Sequence, residues 1–96
     1  MTVIFHPDAE AEFLASVAYY EEQSPGLGSA FRAVVDEAVR QVAATPHLWP
    51  LRSGRVRRCL VHRFPYGILY SVSADCIYVV AVMNLSRHPD YWKRRE

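Results

Sequence analysis

The hydrophobic pattern of this chain changes period once, and prolines mark the change. Up to Val42 the apolar residues recur at helical spacing. From Val56 they come in short β-prone runs separated by turn residues. Between the two lies Pro46-His47-Leu48-Trp49-Pro50-Leu51-Arg52-Ser53-Gly54, where two prolines and a glycine argue against any regular element. Such a chain puts helices first and a sheet after them, and 96 residues suffice for one domain over 1–96, not two.

Each half can be read further. Val3-Ile4-Phe5 is a short β-prone stretch stopped by His6-Pro7. Pro7 suits the first position of a helix, and Asp8, Glu10 and Glu12 favour its positive end. Ala9, Phe13, Val17 and Tyr20 form the stripe of that helix, which Ser24-Pro25-Gly26 breaks. A second helix runs from about Leu27 to Thr45 on Phe31, Val34, Val35, Ala38 and Val42. The short joint predicts an antiparallel helical hairpin. Strands are expected over 57–64, 68–72 and 76–83, joined by Pro65-Tyr66-Gly67 and Ser73-Ala74-Asp75. Connections so short favour an antiparallel meander. The fold class is therefore α+β in the order β-α-α-β-β-β, with the helical hairpin packed on one face of a small antiparallel sheet.

Charge divides at the same place. Residues 1–50 carry Arg32 and Arg40 against seven carboxylates, whereas residues 51–96 carry nine basic residues against Asp75, Asp90 and Glu96. Two readings are open: the second half meets a polyanion or an acidic protein, or the two halves neutralise each other within one fold. Eight of those nine basic residues are arginine, whose planar fork pairs bidentately with carboxylate and phosphate, and this favours a partner.

The sequence excludes several classes. No apolar run approaches the ~20 residues that span a bilayer, so no membrane role is expected. The opening residues lack a basic segment followed by an apolar one, so no signal peptide and a cytoplasmic location are expected. Cys59 and Cys76 sit in strand patterns and read as reduced, buried thiols. His6, His47, His62 and His88 are scattered, so neither a metal nor a cofactor is expected. There is no nucleophile elbow and no phosphate-cradling glycine loop.

What remains is the basic set. Alternation puts Arg58, Leu60, His62 and Phe64 on one strand face, and Arg57, Cys59, Val61 and Arg63 on the other. Arg87, His88, Tyr91 and Trp92 follow the last strand, and arginine beside aromatic residues is the composition of binding hot spots. Trp92 has a second reading, as a cap on the core edge. Arg94 and Arg95 are expected to stay solvated. The contact candidates are Arg58, Arg63, Arg87, His88, Tyr91 and Trp92.

Several segments together resemble the RelE/ParE superfamily of bacterial toxins, on the ParE or plasmid-stabilisation side. They are the strand followed by HPDAEAEFLASVAYYEEQSPGLGSAF, the Pro-x-x-Trp-Pro connector before Arg57-Arg58, Arg63-Phe64-Pro65-Tyr66 leading into Ile68-Leu69-Tyr70-Ser71-Val72, and the closing Arg87-His88-Pro89-Asp90-Tyr91-Trp92. The resemblance implies the toxin of a type II toxin–antitoxin module that causes growth arrest. It implies a hetero-oligomer with a ParD-like antitoxin, which wraps the toxin through a disordered or amphipathic C-terminal segment. In the ParE branch the target is DNA gyrase. In the RelE branch the toxin cuts messenger RNA on the ribosome, using basic residues of the meander and a tail tyrosine. Arg58, Arg87 and Tyr91 fall near members of that set, but Gly67 and Leu60 stand where it has further basic residues. The incomplete set favours binding over cleavage. A non-toxic relative that keeps only its antitoxin surface is the third reading. Asn84 stands where many relatives carry histidine.

Overall fold

The computed structural model describes all 96 residues. Its elements are β1 (Thr2–Phe5), α1 (Pro7–Gln23), α2 (Leu27–Ala44), β2 (Leu51–Ser53), β3 (Val56–Leu60), β4 (Tyr66–Val72) and β5 (Cys76–Asn84), followed by a single 3-10 turn over Lys93–Arg95. The strands form one sheet in the order β1-β5-β4-β3-β2. Strands β2 to β5 run antiparallel to one another in succession, as the short turns require.

The two helices start and meet as the sequence predicts. His6 caps α1, its Nδ1 accepting from the Asp8 N–H at 3.0 Å, and Pro7 takes the first helical position. The joint to α2 is held by the Glu21 carboxylate, which accepts from the backbone N–H groups of Gly26 and Gly28 at 3.0 Å each. Gly28 lets the helices close on one another: a Cβ there would lie 2.6 Å from the Val17 carbonyl oxygen. Ala9 and Phe13 of α1 and Phe31, Val35, Ala38 and Val42 of α2 are buried against Cys59, Ile68, Tyr70, Ile77, Val79 and Val82 of the sheet. An edge-on aromatic group closes one end of this core, with Phe31–Tyr66 at 4.7 Å and Phe31–Phe64 at 5.2 Å between ring centroids.

Three local expectations are corrected. The sheet is mixed, because β1 lies parallel to β5, with Thr2 opposite Cys76 and Phe5 opposite Val79. A strand that leaves through a helical crossover is free to return to a parallel neighbour, unlike one joined by a tight turn. The connector holds a regular element after all: Leu51–Ser53 pairs with Arg57 and Val56 across the turn at Gly54-Arg55. Pro50 stands just before this three-residue edge strand, where its missing N–H costs no ladder bond. The strand predicted over 57–64 ends at Leu60. Arg63 takes a left-handed φ of 74°, the chain turns, and Phe64 enters the core beneath the helices instead of sharing a face with Arg58.

The sheet has a second covered face. Val56, Leu69, Val80, Ala81 and Met83 are buried there together with Trp92 from the tail. A bulge in β5 makes this possible. Leu69 opposes Ala81 while Tyr70 opposes Val79, so Val80 is the extra residue. The alternation of β5 slips by one at that point, putting Val79 and Val82 toward the helices and Val80, Ala81 and Met83 toward the tail. Cys59 is buried and Cys76 partly exposed, and the two are unpaired. Burial pushes the Cys59 thiol up to about 11. Cys76 thus corrects the expectation of two buried thiols.

Candidate functional site

The arginines of β3 point to different faces and do different things. Arg57 lies on the helix side, where its guanidinium donates to the carbonyls of Trp49 at 2.7 Å and His47 at 3.4 Å. Tyr70, directly opposite Arg57, donates its hydroxyl to the Pro46 carbonyl at 2.7 Å. Together they pin the 46–50 connector to the sheet. Arg58 lies on the other face, opposite Leu69. It shares a narrow cleft with Arg52, Ser53, Leu69, Met83, Pro89, Asp90 and Trp92. Burial, and then the neighbouring Arg52, pull the Arg58 pKa below its ordinary value. Neither guanidinium is in an ion pair, whereas Lys93 holds Asp90 at 3.4 Å. Two adjacent cations without a carboxylate of their own form a ready seat for an anionic group.

Gly67 explains how Arg58 reaches this cleft. A Cβ at Gly67 would lie 3.1 Å from both Cγ and Cδ of Arg58, so the arginine stem occupies the space that a side chain at 67 would take. The position where a nuclease of the RelE type has a further basic residue is therefore filled by Arg58 itself. Gly67→Ala is expected to displace the flexible stem and leave the backbone in place. The Arg58 Nε–H resonance should move while the unfolding free energy stays within about 1 kcal/mol of wild type. An unmoved resonance would show that the stem does not lie there.

The tail folds back as a compact unit. Asn84 starts it, its Oδ1 accepting from the Ser86 N–H at 2.9 Å and the Ser86 hydroxyl at 2.8 Å. The asparagine in the place of a histidine thus makes a local turn. His88 is exposed, and its Nδ1 accepts from the Asp90 N–H at 3.2 Å. Trp92 is 1% exposed and donates Nε1–H to the Pro89 carbonyl at 2.6 Å. This corrects its reading as a surface contact: in the folded chain it is the centre of the second core. Arg87 is exposed, with its guanidinium 4.1 Å from the centroid of the Tyr91 ring. The Tyr91 ring is half-buried and its hydroxyl fully so. Burial first, then Glu12, push the phenol far above its ordinary value.

The structure brings Arg58, Arg87, His88 and Tyr91 to the tail side of the sheet and leaves Arg63 out. Arg63 sits in the loop after β3 with its guanidinium 5.2 Å from the Phe64 ring centroid, at the helix-side core. Two residues missing from the sequence reading stand at or beneath this candidate surface. Arg52 joins Arg58 because β2 exists, and Ser53-Gly54 between β-prone residues was the available signal. Arg95, expected in solvent, is 15% exposed and donates to Glu12 Oε1 at 2.9 Å and to the Val80 carbonyl at 3.1 Å. Its sequence neighbours, all charged, gave no hint of this.

A helical hairpin on one face of a mixed sheet, with arginines and a folded-back tail on the other, defines a small α+β module that presents arginine from a rigid surface. The family model described as "ParE toxin of type II toxin-antitoxin system, parDE" matches residues 3–89, and the chain belongs to that family. Among solved structures it is similar to the one described as "Chromosomal ParDE TA system from P. aeruginosa", with a TM-score of 0.65 and 21% identity over 88% of this chain and 96% of that one. At that identity the likeness speaks for the fold. No curated protein matches. No helix is long and apolar enough to cross a membrane.

Proposed function

We propose that this ParE-type toxin acts by gripping DNA gyrase as a protein, and that a ParD-like antitoxin neutralises it by covering the same arginines. The observation that carries this reading is the unpaired Arg52–Arg58 couple, with the exposed Arg87 on the same side of the sheet. These guanidiniums have no ion-pair partner within the fold, and the carboxylate that lines their cleft, Asp90, is held by Lys93. Cleavage of RNA needs a group that moves the proton of a ribose hydroxyl. The one tail tyrosine near that role, Tyr91, has its hydroxyl buried beside Glu12, out of reach of a phosphodiester.

The antitoxin has a fitting path. Leu60 is 56% exposed at the rim of β3 and is shared by two adjoining concavities. One is lined by Val34, Glu37, Ala38, Gln41 and His62, the other by Trp49, Pro50, Arg52 and Arg58. An acidic amphipathic segment laid along them would bury apolar side chains on Leu60 and Trp49 and bring a carboxylate to the arginines. Supercoiling by purified gyrase in the presence of this protein tests the target, with a reporter transcript mapped on ribosomes as the control. The expected result is blocked supercoiling or DNA breaks with intact transcript. Codon-specific cuts with normal supercoiling would overturn it.

A further inference from the structure

The bulge in β5 leaves backbone groups to be satisfied at Val80 and Val82, on a stretch that has run past the end of β1. An ion pair answers both. Glu12 Oε1 accepts from the Val82 N–H at 3.1 Å, Arg95 donates to the Val80 carbonyl at 3.1 Å, and the two side chains meet at 2.9 Å. Glu12 comes from the first turns of α1 and Arg95 from the tail, so the pair ties the tail to the first helix. Both side chains are largely buried, at 16% and 15% exposure. Asp8 adds a weaker attraction, its carboxylate 3.9 Å from Arg95 Nε. Burial lowers the Arg95 pKa, but Glu12, Tyr91 and Asp8 together outweigh it and leave it raised.

The same guanidinium lies 5.0 Å from the Tyr91 ring centroid, and Arg87 lies 4.1 Å from that centroid. Arg95 and Arg87 thus share one aromatic ring. The first is anchored in the sheet and the second is free to meet a partner.

We propose that Arg95 is a positioning residue for the partner-binding surface: held by Glu12 and the β5 bulge, it fixes the Tyr91 ring on which Arg87 is presented. Arg95 touches no partner itself. Losing its anchor leaves Arg87 attached to a tail that samples many positions, and ordering that tail again on binding costs affinity. The inference rests on the binding reading above, and its tests separate the two.

The decisive measurement is a double-mutant cycle on affinity for purified gyrase, using Arg95→Ala, Arg87→Ala and the pair. Arg95→Ala leaves the Glu12 carboxylate buried and unpaired, so Glu12→Gln/Arg95→Ala is measured beside it to keep the fold intact. Each Arg95 variant is expected to bind roughly tenfold more weakly, about the worth of one charged hydrogen bond. In an Arg87→Ala background the same change should cost almost nothing more, because both act through one ring. Amide exchange over residues 87–96 should quicken in the Arg95 variants. Fully additive losses in the cycle would overturn the proposal, as would unchanged exchange in the tail. If the wild-type chain does not bind gyrase, the target reading fails; the cycle then runs on the cognate antitoxin, where additivity again refutes the clasp and non-additivity supports it.

Discussion

Trp92→Ala is expected to remove about 3–5 kcal/mol from the stability of this protein, the range for truncating a buried large aromatic residue. Trp92 fills the centre of the second core, between the sheet residues Leu69, Val80, Ala81 and Met83 and the tail that carries it. Its Nε1–H bond to the Pro89 carbonyl goes as well, together with the turn that bond closes. Domains of this size are stable by about 5–15 kcal/mol in total, so the variant sits near the unfolding threshold. The urea midpoint reports the loss directly, and an unchanged slope with denaturant would show that only stability moved. A midpoint within error of wild type would mean that the tail does not cover the sheet in solution. Cutting the chain after Pro89 removes Trp92 and Arg95 together, so a truncation probes the second core and not a contact residue.

Arg87→Glu should do the opposite: abolish growth arrest in an induced culture while the protein stays folded. The exposed guanidinium has one intramolecular contact of note, the Tyr91 ring, and an exposed cation–π pair is worth only about 0.5–1 kcal/mol. Reversing its sign in an interface with an acidic partner costs about 2–5 kcal/mol or more, enough to lower occupancy of the target by orders of magnitude. Colony counts after induction and an unfolding midpoint on the same variant make the measurement. Full arrest with a normal midpoint would remove Arg87 from the working surface.

Much of the architecture was written in local pattern. The helical stripe through Phe13 and Val17, the break at Ser24-Pro25-Gly26 and the period-2 runs after Val56 each depend on neighbours a few residues away. What the pattern missed depends on partners far along the chain. The parallel seat of β1 follows from where the helical crossover sets the chain down. The three residues of β2 are a strand only because β3 is beside them. The bulge at Val80 is invisible in a run of apolar residues that suit either face. Because the bulge was hidden, so was the extent of the second core, and with it the burial of Arg95; the burial of Trp92 was one of the two readings its position allowed.

The candidate site was legible to the same degree. Arg58 and Arg87 were found by residue type and position, and both face the tail side. Arg63 was grouped with them by residue type, although strand alternation set it on the face opposite Arg58, and alternation itself fails once the strand ends at Leu60 and the backbone turns left-handed. Arg52 and Glu12 needed the third dimension.

The pairing of residues 2–5 with 76–79 also sets an order of events at synthesis. The first strand leaves the ribosome early and waits, unpaired, until β5 emerges. The second core and the ion pair with Glu12 wait for Trp92 and Arg95. A sheet that pairs residues 2–5 with residues 76–79 forms late and is slowed by the long loop between them. The nascent toxin therefore spends its synthesis as a helical hairpin with an unfinished sheet. The tail side of the sheet is covered, and its arginines are set in place, only after Trp92 and Arg95 have been added.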